Sequence, residues 1–128
     1  MKAGISETLF EVATRLAAGE NSSVAVGNFL AFLAPDHIAE AIAQEPEFLA
    51  QSIPSGDVMD AYLGAVAETL AQRAGTPQPI WAEAPGRFLG RLHFPSKSRR
   101  LNDLLLTETP EPFRRRGLVT SSNVMSVA

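Results

Sequence analysis

Apolar residues recur every three or four positions along most of this chain, a spacing that places them on one face of an α-helix. The first stripe consists of Ile5, Leu9, Val12 and Leu16. Ser6 is the predicted N-cap of this helix, with Ile5 as a hydrophobic staple, and Gly19 is the predicted C-terminal stop.

Two further helices are predicted before the middle of the chain. The second helix covers about 23–34 and ends at Pro35. Asp36 is the predicted cap of a third helix, which ends at the Glu45-Pro46 pair, and 47–51 adds a single turn. The predicted inward residues of these two helices are Val26, Phe29, Leu30, Leu33, Ile38 and Ile42.

The strongest helical pattern follows the Pro54-Ser55-Gly56 turn and covers about 57–74. Gly75 is its predicted C-cap. Four alanines between the apolar positions add helix propensity. The predicted stripe is Met59, Tyr62, Leu63, Val66 and Leu70.

The remainder of the chain begins with an irregular, proline-rich segment, 76–98, which has at most short turns near 85–89. A helix follows over 98–108, with Leu101, Leu104 and Leu105 predicted on one side. A short helix is then predicted to start with Thr109 as its cap and Pro110 as its first residue, and to end at Gly117. The apolar residues predicted to dock from the tail are Leu118, Val119, Val124 and Met125.

Alternating strand patterns are nearly absent, so the predicted fold class is all-α. We expect a compact bundle of about five to six helices, with a proline-rich irregular segment and a short C-terminal helix. The whole chain, 1–128, is predicted to form a single helical domain. Within it, 1–75 is an acidic helical body and 76–128 is a proline-rich, basic C-terminal section.

Composition narrows the protein class. The 128 residues are 45% apolar and 20% charged, near the averages of a soluble globular domain. Cysteine is absent, which excludes disulfides, thiol catalysis and cysteine-based zinc sites. Neither a secretory leader nor an apolar run long enough to span a bilayer is visible, so we expect a cytoplasmic protein without membrane contact.

The net charge of −3 hides a division between two parts of the chain. Residues 1–86 carry three basic and eleven acidic side chains, whereas 87–128 carry eight basic and three acidic ones. Such an asymmetry is typical of a protein with an electrostatic partner, either nucleic acid or an acidic protein. The alternative is that the acidic body is clamped by its own basic tail.

No pattern in the chain predicts catalysis. His37 and His93 lack a second ligand at helical spacing, and neither a Gly-x-Ser-x-Gly elbow nor a glycine-rich phosphate loop occurs. The carboxylate pair Asp57 and Asp60 is typical of a solvated helix face. We therefore predict no catalytic residue, no metal site and no cofactor, and a protein that is not an enzyme.

The run Arg114-Arg115-Arg116 is the most distinctive local feature. Consecutive residues point about 100° apart on a helix, so the three guanidinium groups cannot all face one ligand. They either bind an acidic or anionic partner, together with other cations of this section, or pair back onto the acidic body. The aromatic residues predicted as partner anchors are Trp81, Phe88, Phe94 and Phe113; the alternative is that they complete the chain's own core.

The order of motifs in the C-terminal section resembles a bacterial antitoxin-like domain. These motifs are Pro79-x-Trp81, Pro85-x-Arg87-Phe88-Leu89, His93-Phe94-Pro95, and the run from Thr109-Pro110 through Phe113-Arg114-Arg115-Arg116-Gly117-Leu118. Members of that family usually follow a helix-turn-helix segment and are encoded beside a nucleotidyltransferase-like partner. The resemblance implies no catalytic residue.

Two functions follow as expectations. The first is a non-catalytic, antitoxin-like interaction protein that covers a nucleotidyltransferase-like protein partner, with the four aromatic residues as anchors and Arg114, Arg115 and Arg116 as electrostatic contacts. The alternative is a nucleic-acid-binding regulator that uses the basic C-terminal third. We expect no separate DNA-binding domain before Ile5, which departs from the usual arrangement of the family and argues against autonomous transcriptional control.

Overall fold

A computed structural model of the chain describes residues 7–125. These residues form an all-α fold with six α-helices, as predicted. Single 3₁₀ turns cover Pro35–His37, Ile80–Glu83 and Pro85–Arg87. The α-helices are α1 (Leu9–Ala17), α2 (Ser22–Phe32), α3 (Ile38–Ala43), α4 (Gly56–Ala74), α5 (Arg99–Glu108) and α6 (Glu111–Arg114). The described residues contain no strand, only one isolated bridge between His93 and Leu118.

Helix α4 is the centre of the fold. It contacts α3, α6 and both 3₁₀ turns of the proline-rich segment, while α1 packs against α2 and α3. Leu63 and Val66 of α4 are completely buried. Gly75 ends the helix in the left-handed conformation, with φ of 68°, as its position as a predicted C-cap requires. The same core includes Leu9, Val12, Leu16, Phe29, Ile42, Phe113, Leu118 and Met125.

The N-terminal helix boundaries differ from the predicted ones. Thr8, not Ser6, caps α1: its hydroxyl accepts from the Glu11 amide at 3.2 Å, and the Glu11 carboxylate accepts from the Thr8 amide at 2.9 Å. This reciprocal capping box fixes the start of α1 two residues later than expected. Ser6 and Ile5, the predicted cap and staple, lie outside the described residues.

The predicted turn over 47–51 does not form a helix. Asp60 of α4 accepts hydrogen bonds from the amides of Leu49 at 2.7 Å and Ala50 at 3.1 Å. The Leu49 carbonyl accepts from the amides of Ser52 at 2.9 Å and Ile53 at 3.2 Å, so the chain makes a single hydrogen-bonded turn that begins two residues later than predicted. Asp36 does not act as a side-chain cap either, because a 3₁₀ turn leads directly into α3.

The predicted cap of the last helix belongs to the preceding one. The Thr109 hydroxyl donates to the Leu105 carbonyl at 2.6 Å and accepts from the Thr120 amide at 3.1 Å. Thr109 therefore closes the end of α5 and ties it to the tail. Helix α6 starts one residue later than predicted, at Glu111, with Pro110 as its N-cap.

The tail after α6 packs as expected. Gly117 turns the chain with φ of 90°, and Leu118, Val119 and Met125 are buried. Among the helices of residues 7–125, none combines the length and the apolar character that crossing a bilayer requires.

Candidate partner-binding surface

A completely buried arginine, Arg87, anchors the proline-rich segment to the helical body. Its guanidinium lies 4.1 Å from the ring centre of Phe48 and 4.9 Å from that of Trp81. Its Nη1 lies 3.7 Å from Asp60 Oδ1, and its Nη2 donates to the Pro46 carbonyl. Burial lowers the pKa of Arg87, and Asp60 opposes this shift. The cation is thus enclosed by aromatic faces and one buried carboxylate.

Asp60 itself corrects a prediction. It is 1% exposed and accepts two backbone hydrogen bonds, so it does not belong to a solvated face with Asp57. Burial raises the pKa of Asp60, while the two amides and Arg87 act in the opposite direction. Asp60 therefore has a structural role between α4 and the 46–50 loop.

The second buried arginine, Arg116, holds α6 against α4. Its guanidinium donates to the Pro112 carbonyl at 2.9 Å, to the Ala82 carbonyl at 2.8 Å and to the Glu68 carboxylate. A side chain at Gly64 would not fit here, since its Cβ would lie 2.9 Å from Arg116 Nε. Arg116 is 0% exposed and has no surface to offer a partner.

The three consecutive arginines therefore have three different environments. Arg115 is partly exposed, and its Nε donates to Glu68 Oε1 at 3.0 Å while its Nη2 pairs with Glu83. Arg114 is exposed and makes only a local pair with Glu111 at 3.6 Å. Of the two interpretations of this run, pairing back onto the acidic body holds for Arg115 and Arg116.

Two of the four predicted aromatic anchors belong to the core. Trp81 is 9% exposed and its Nε1 donates to the Ile42 carbonyl at 2.8 Å. Phe113 is completely buried and makes an edge-to-face contact with Tyr62, with ring centres 5.5 Å apart. Trp81, Phe113 and Arg116 were predicted as partner contacts. This prediction is corrected, because all three side chains are buried within the fold.

The other two anchors differ from each other. Phe88 is half-buried, and the guanidinium groups of Arg115 and Arg116 lie 5.2 Å and 4.8 Å from its ring centre. Phe94 is 43% exposed. Phe94 is thus the predicted anchor that retains a free apolar surface.

Four basic residues remain exposed in the segment before and at the start of α5. Arg91, Lys97, Arg99 and Arg100 form no ion pair with any residue of the described range 7–125. The other four arginines of the section that begins at residue 87 each have an ion pair, and that of Arg114 is with Glu111 of the same section. Their charge is available to an external anion or carboxylate.

Exposed apolar side chains accompany these cations. Helix α5 buries none of its own residues. Its half-buried positions are Asn102, Leu105, Leu106 and Glu108, and the Asn102 side chain donates to the Ser96 carbonyl at 2.7 Å. Leu101, Leu104 and Leu105 lie on one side of α5, as predicted, and this side is largely uncovered, since Leu101 and Leu104 are 43% and 57% exposed.

We call the outward residues of this segment the basic leucine surface. Sequence reasoning grouped Lys97, Arg99 and Arg100 with the arginine run but missed the leucines as surface residues. The signal was present in the cations, which have few acidic residues at helical spacing to neutralise them. The surface consists of Arg91, Leu92, Phe94, Lys97, Arg99, Arg100, Leu101 and Leu104.

The described residues offer no cluster of His, Asp and Glu side chains that could hold a metal ion. His93 lies near Ser96 and Ser98 in sequence, but both serine hydroxyls accept local backbone hydrogen bonds, from Ser98 at 3.0 Å and Leu101 at 3.2 Å. The two hydroxyls thus shape the start of α5.

Comparison with protein-family models, with curated proteins and with solved structures finds no match for the chain.

Proposed function

We propose that this protein is a non-catalytic, antitoxin-like interaction protein that binds an acidic face of a protein partner through the basic leucine surface. The observation that supports this proposal is the exposure of α5, a helix that buries none of its residues. Clusters of exposed apolar side chains rimmed by polar residues are typical of protein interaction sites. The resemblance of the motifs to antitoxin-like domains suggests a nucleotidyltransferase-like protein, encoded beside this chain, as the partner.

The chemistry of the surface favours a protein over a nucleic acid. Burial of Leu101 and Leu104 stabilises a complex only when an apolar surface covers these side chains, and a phosphate backbone offers no such surface. A partner with carboxylates around an apolar centre would satisfy both the four cations and the leucines.

Co-expression with the protein encoded beside this chain, which we expect to be nucleotidyltransferase-like, tests the proposal. We expect a stable complex by size-exclusion chromatography with light scattering. The double variant Leu101→Glu/Leu104→Glu should lose the complex, because it places two carboxylates against an acidic face. Ile80→Glu is the matched control, since Ile80 is 92% exposed outside the basic leucine surface. Circular dichroism checks that both variants fold.

Three results would overturn the proposal. The first is the absence of any complex with the wild-type chain, and the second is a complex that the double leucine variant leaves intact. The third is salt-sensitive binding to a DNA or RNA duplex that Arg99→Ala/Arg100→Ala abolishes and the leucine variant retains, which would support the nucleic-acid-binding regulator instead.

A further inference from the structure

A cavity of about 300 Å³ lies between α2, α4 and the turn near Val124, away from the basic leucine surface. Its lining combines apolar side chains with the hydroxyls of two serines and a tyrosine, and no charged side chain lines it. Concave sites that combine apolar walls with a few hydrogen-bonding groups are typical sites for small molecules. The lining residues are Ser22, Ser23, Val26, Gly27, Leu30, Met59, Tyr62 and Val124.

Gly27 is an unexpected residue in the middle of α2. Glycine weakens a helix interior relative to alanine. Its φ is not positive, and a Cβ at this position would meet no atom within 4 Å. Neither the backbone nor the packing therefore requires glycine here. The absence of a side chain at Gly27 leaves the cavity wall open at this position.

Tyr62 supplies a hydrogen-bond donor to this cavity. Its ring packs on Phe113, and its hydroxyl, whose ordinary pKa of 10.0 is raised further by burial, carries a proton at neutral pH. The hydroxyl has no hydrogen-bond partner among residues 7–125. The exposed residues Ser22 and Ser23 also line the cavity. A hydroxyl donor without a protein partner beside apolar side chains favours a ligand that accepts a hydrogen bond.

We infer that this cavity binds a small, uncharged aromatic molecule that carries a hydrogen-bond acceptor. The apolar walls formed by Val26, Leu30 and Met59 would enclose the ring, and the Tyr62 hydroxyl would donate to the acceptor. An apolar cavity of about 150 Å³ is large enough for benzene, so the larger volume here accommodates one substituted ring. A charged ligand is disfavoured because nothing in the lining would compensate for its desolvation.

The single tyrosine of the chain provides a direct probe. Biosynthetic incorporation of 3-fluorotyrosine gives one ¹⁹F resonance, which reports from within the cavity. We expect a saturable shift of that resonance on titration with acetophenone, whose carbonyl is an acceptor. Ethylbenzene has a similar shape without the acceptor and should bind more weakly.

Two pairs of variants localise the binding. Gly27→Leu places a side chain in the cavity and should weaken acetophenone binding at least tenfold, whereas Gly27→Ala should retain it. Tyr62→Phe keeps the ring but removes the donor, so ligand-detected NMR should show equal affinity for acetophenone and ethylbenzene. The inference is overturned if the ¹⁹F resonance does not move with either probe, if Gly27→Leu binds like the wild type, or if Tyr62→Phe keeps the preference for acetophenone.

Discussion

Alanine substitutions of the three consecutive arginines should change the free energy of unfolding by very different amounts. We expect the largest loss for Arg116→Ala, a smaller one for Arg115→Ala and almost none for Arg114→Ala. The three residues are neighbours with the same chemistry, so composition and propensity are held nearly constant. The expected difference between them comes from burial and from the groups that each guanidinium contacts.

The magnitude for Arg116→Ala follows from its contacts. The substitution removes hydrogen bonds of 2.8 Å and 2.9 Å from the carbonyls of Ala82 and Pro112, as well as an ion pair with Glu68. Removing one partner of a buried ion pair costs about 3–5 kcal/mol. Arg115 still pairs with Glu68, which leaves that carboxylate partly compensated. We therefore expect a loss in the lower part of this range, about 3–4 kcal/mol.

The other two variants should lose less. The side chain of Arg115 is 31% exposed, and its loss leaves Glu68 paired with Arg116, so we expect about 1–2 kcal/mol for Arg115→Ala. The side chain of Arg114 is 47% exposed, and its pair with Glu111 is a surface contact between residues three apart. Such pairs contribute about 0.2–0.5 kcal/mol.

Urea denaturation followed by the fluorescence of the single tryptophan, Trp81, measures all three variants in the same way. Arg116→Lys serves as a second test, because an ammonium keeps the charge but lacks the planar fork that reaches two carbonyls and a carboxylate. We expect it to recover less than half of the loss. A loss below about 1 kcal/mol for Arg116→Ala, or equal losses for Arg116→Ala and Arg114→Ala, would refute the assignment of Arg116 as a buried anchor.

Two further predictions concern the contacts of the proline-rich segment. Trp81→Phe keeps an aromatic ring but removes the 2.8 Å hydrogen bond to the Ile42 carbonyl, so the free energy of unfolding should fall by about 1–3 kcal/mol. Thermal denaturation followed by circular dichroism measures this change. A loss as large as that of Trp81→Ala would contradict the role of the hydrogen bond. The Arg115 guanidinium lowers the pKa of Glu83 below its ordinary value of 4.5, so the unfolded state takes up more protons as the pH falls through this range. The contribution of Glu83 to the free energy of unfolding is thus present above pH 4.5 and is lost as the pH falls below it. Glu83→Gln should therefore flatten the decline of stability in acid. The control Glu40→Gln removes an exposed carboxylate without an ion pair in the described range and should not change this decline.

Much of the fold was predictable because it depends on local patterns. The 3.6-residue period identified α4 to within one residue, and Gly75 marked its end because glycine adopts the left-handed conformation there. The sequence-based prediction was wrong where a side chain distant in sequence accepts hydrogen bonds from backbone amides. Asp60 captures the amides of Leu49 and Ala50, and no local signal in 47–51 indicates this. Capping at Thr8 was missed because Ser6 offers the same hydroxyl chemistry two residues earlier.

The candidate surface was harder to predict than the fold. Tertiary contacts alone decide whether a given arginine or aromatic side chain is buried or exposed. Nothing in the local sequence distinguishes the buried Arg87 and Arg116 from the exposed Arg99 and Arg100. The distinction depends on which carboxylates α4 presents to each segment. The predicted anchors Trp81 and Phe113 failed as surface residues for the same reason, since an aromatic residue that can anchor a partner can also complete a core.

The division of charge along the chain now has a physical consequence. The carboxylates of Asp60, Glu68 and Glu83 form ion pairs with the arginines at 87, 115 and 116, which hold the C-terminal section against α4. Those acids already have their partners and are not available to the cations at 91–100. The exposed carboxylates of the body that have no ion pair in the described range, such as Glu40, could offer these cations only surface pairs, which contribute about 1 kcal/mol or less. This charge is the reason that we propose an external partner for the basic leucine surface, and the exposed leucines beside it favour a protein for that role.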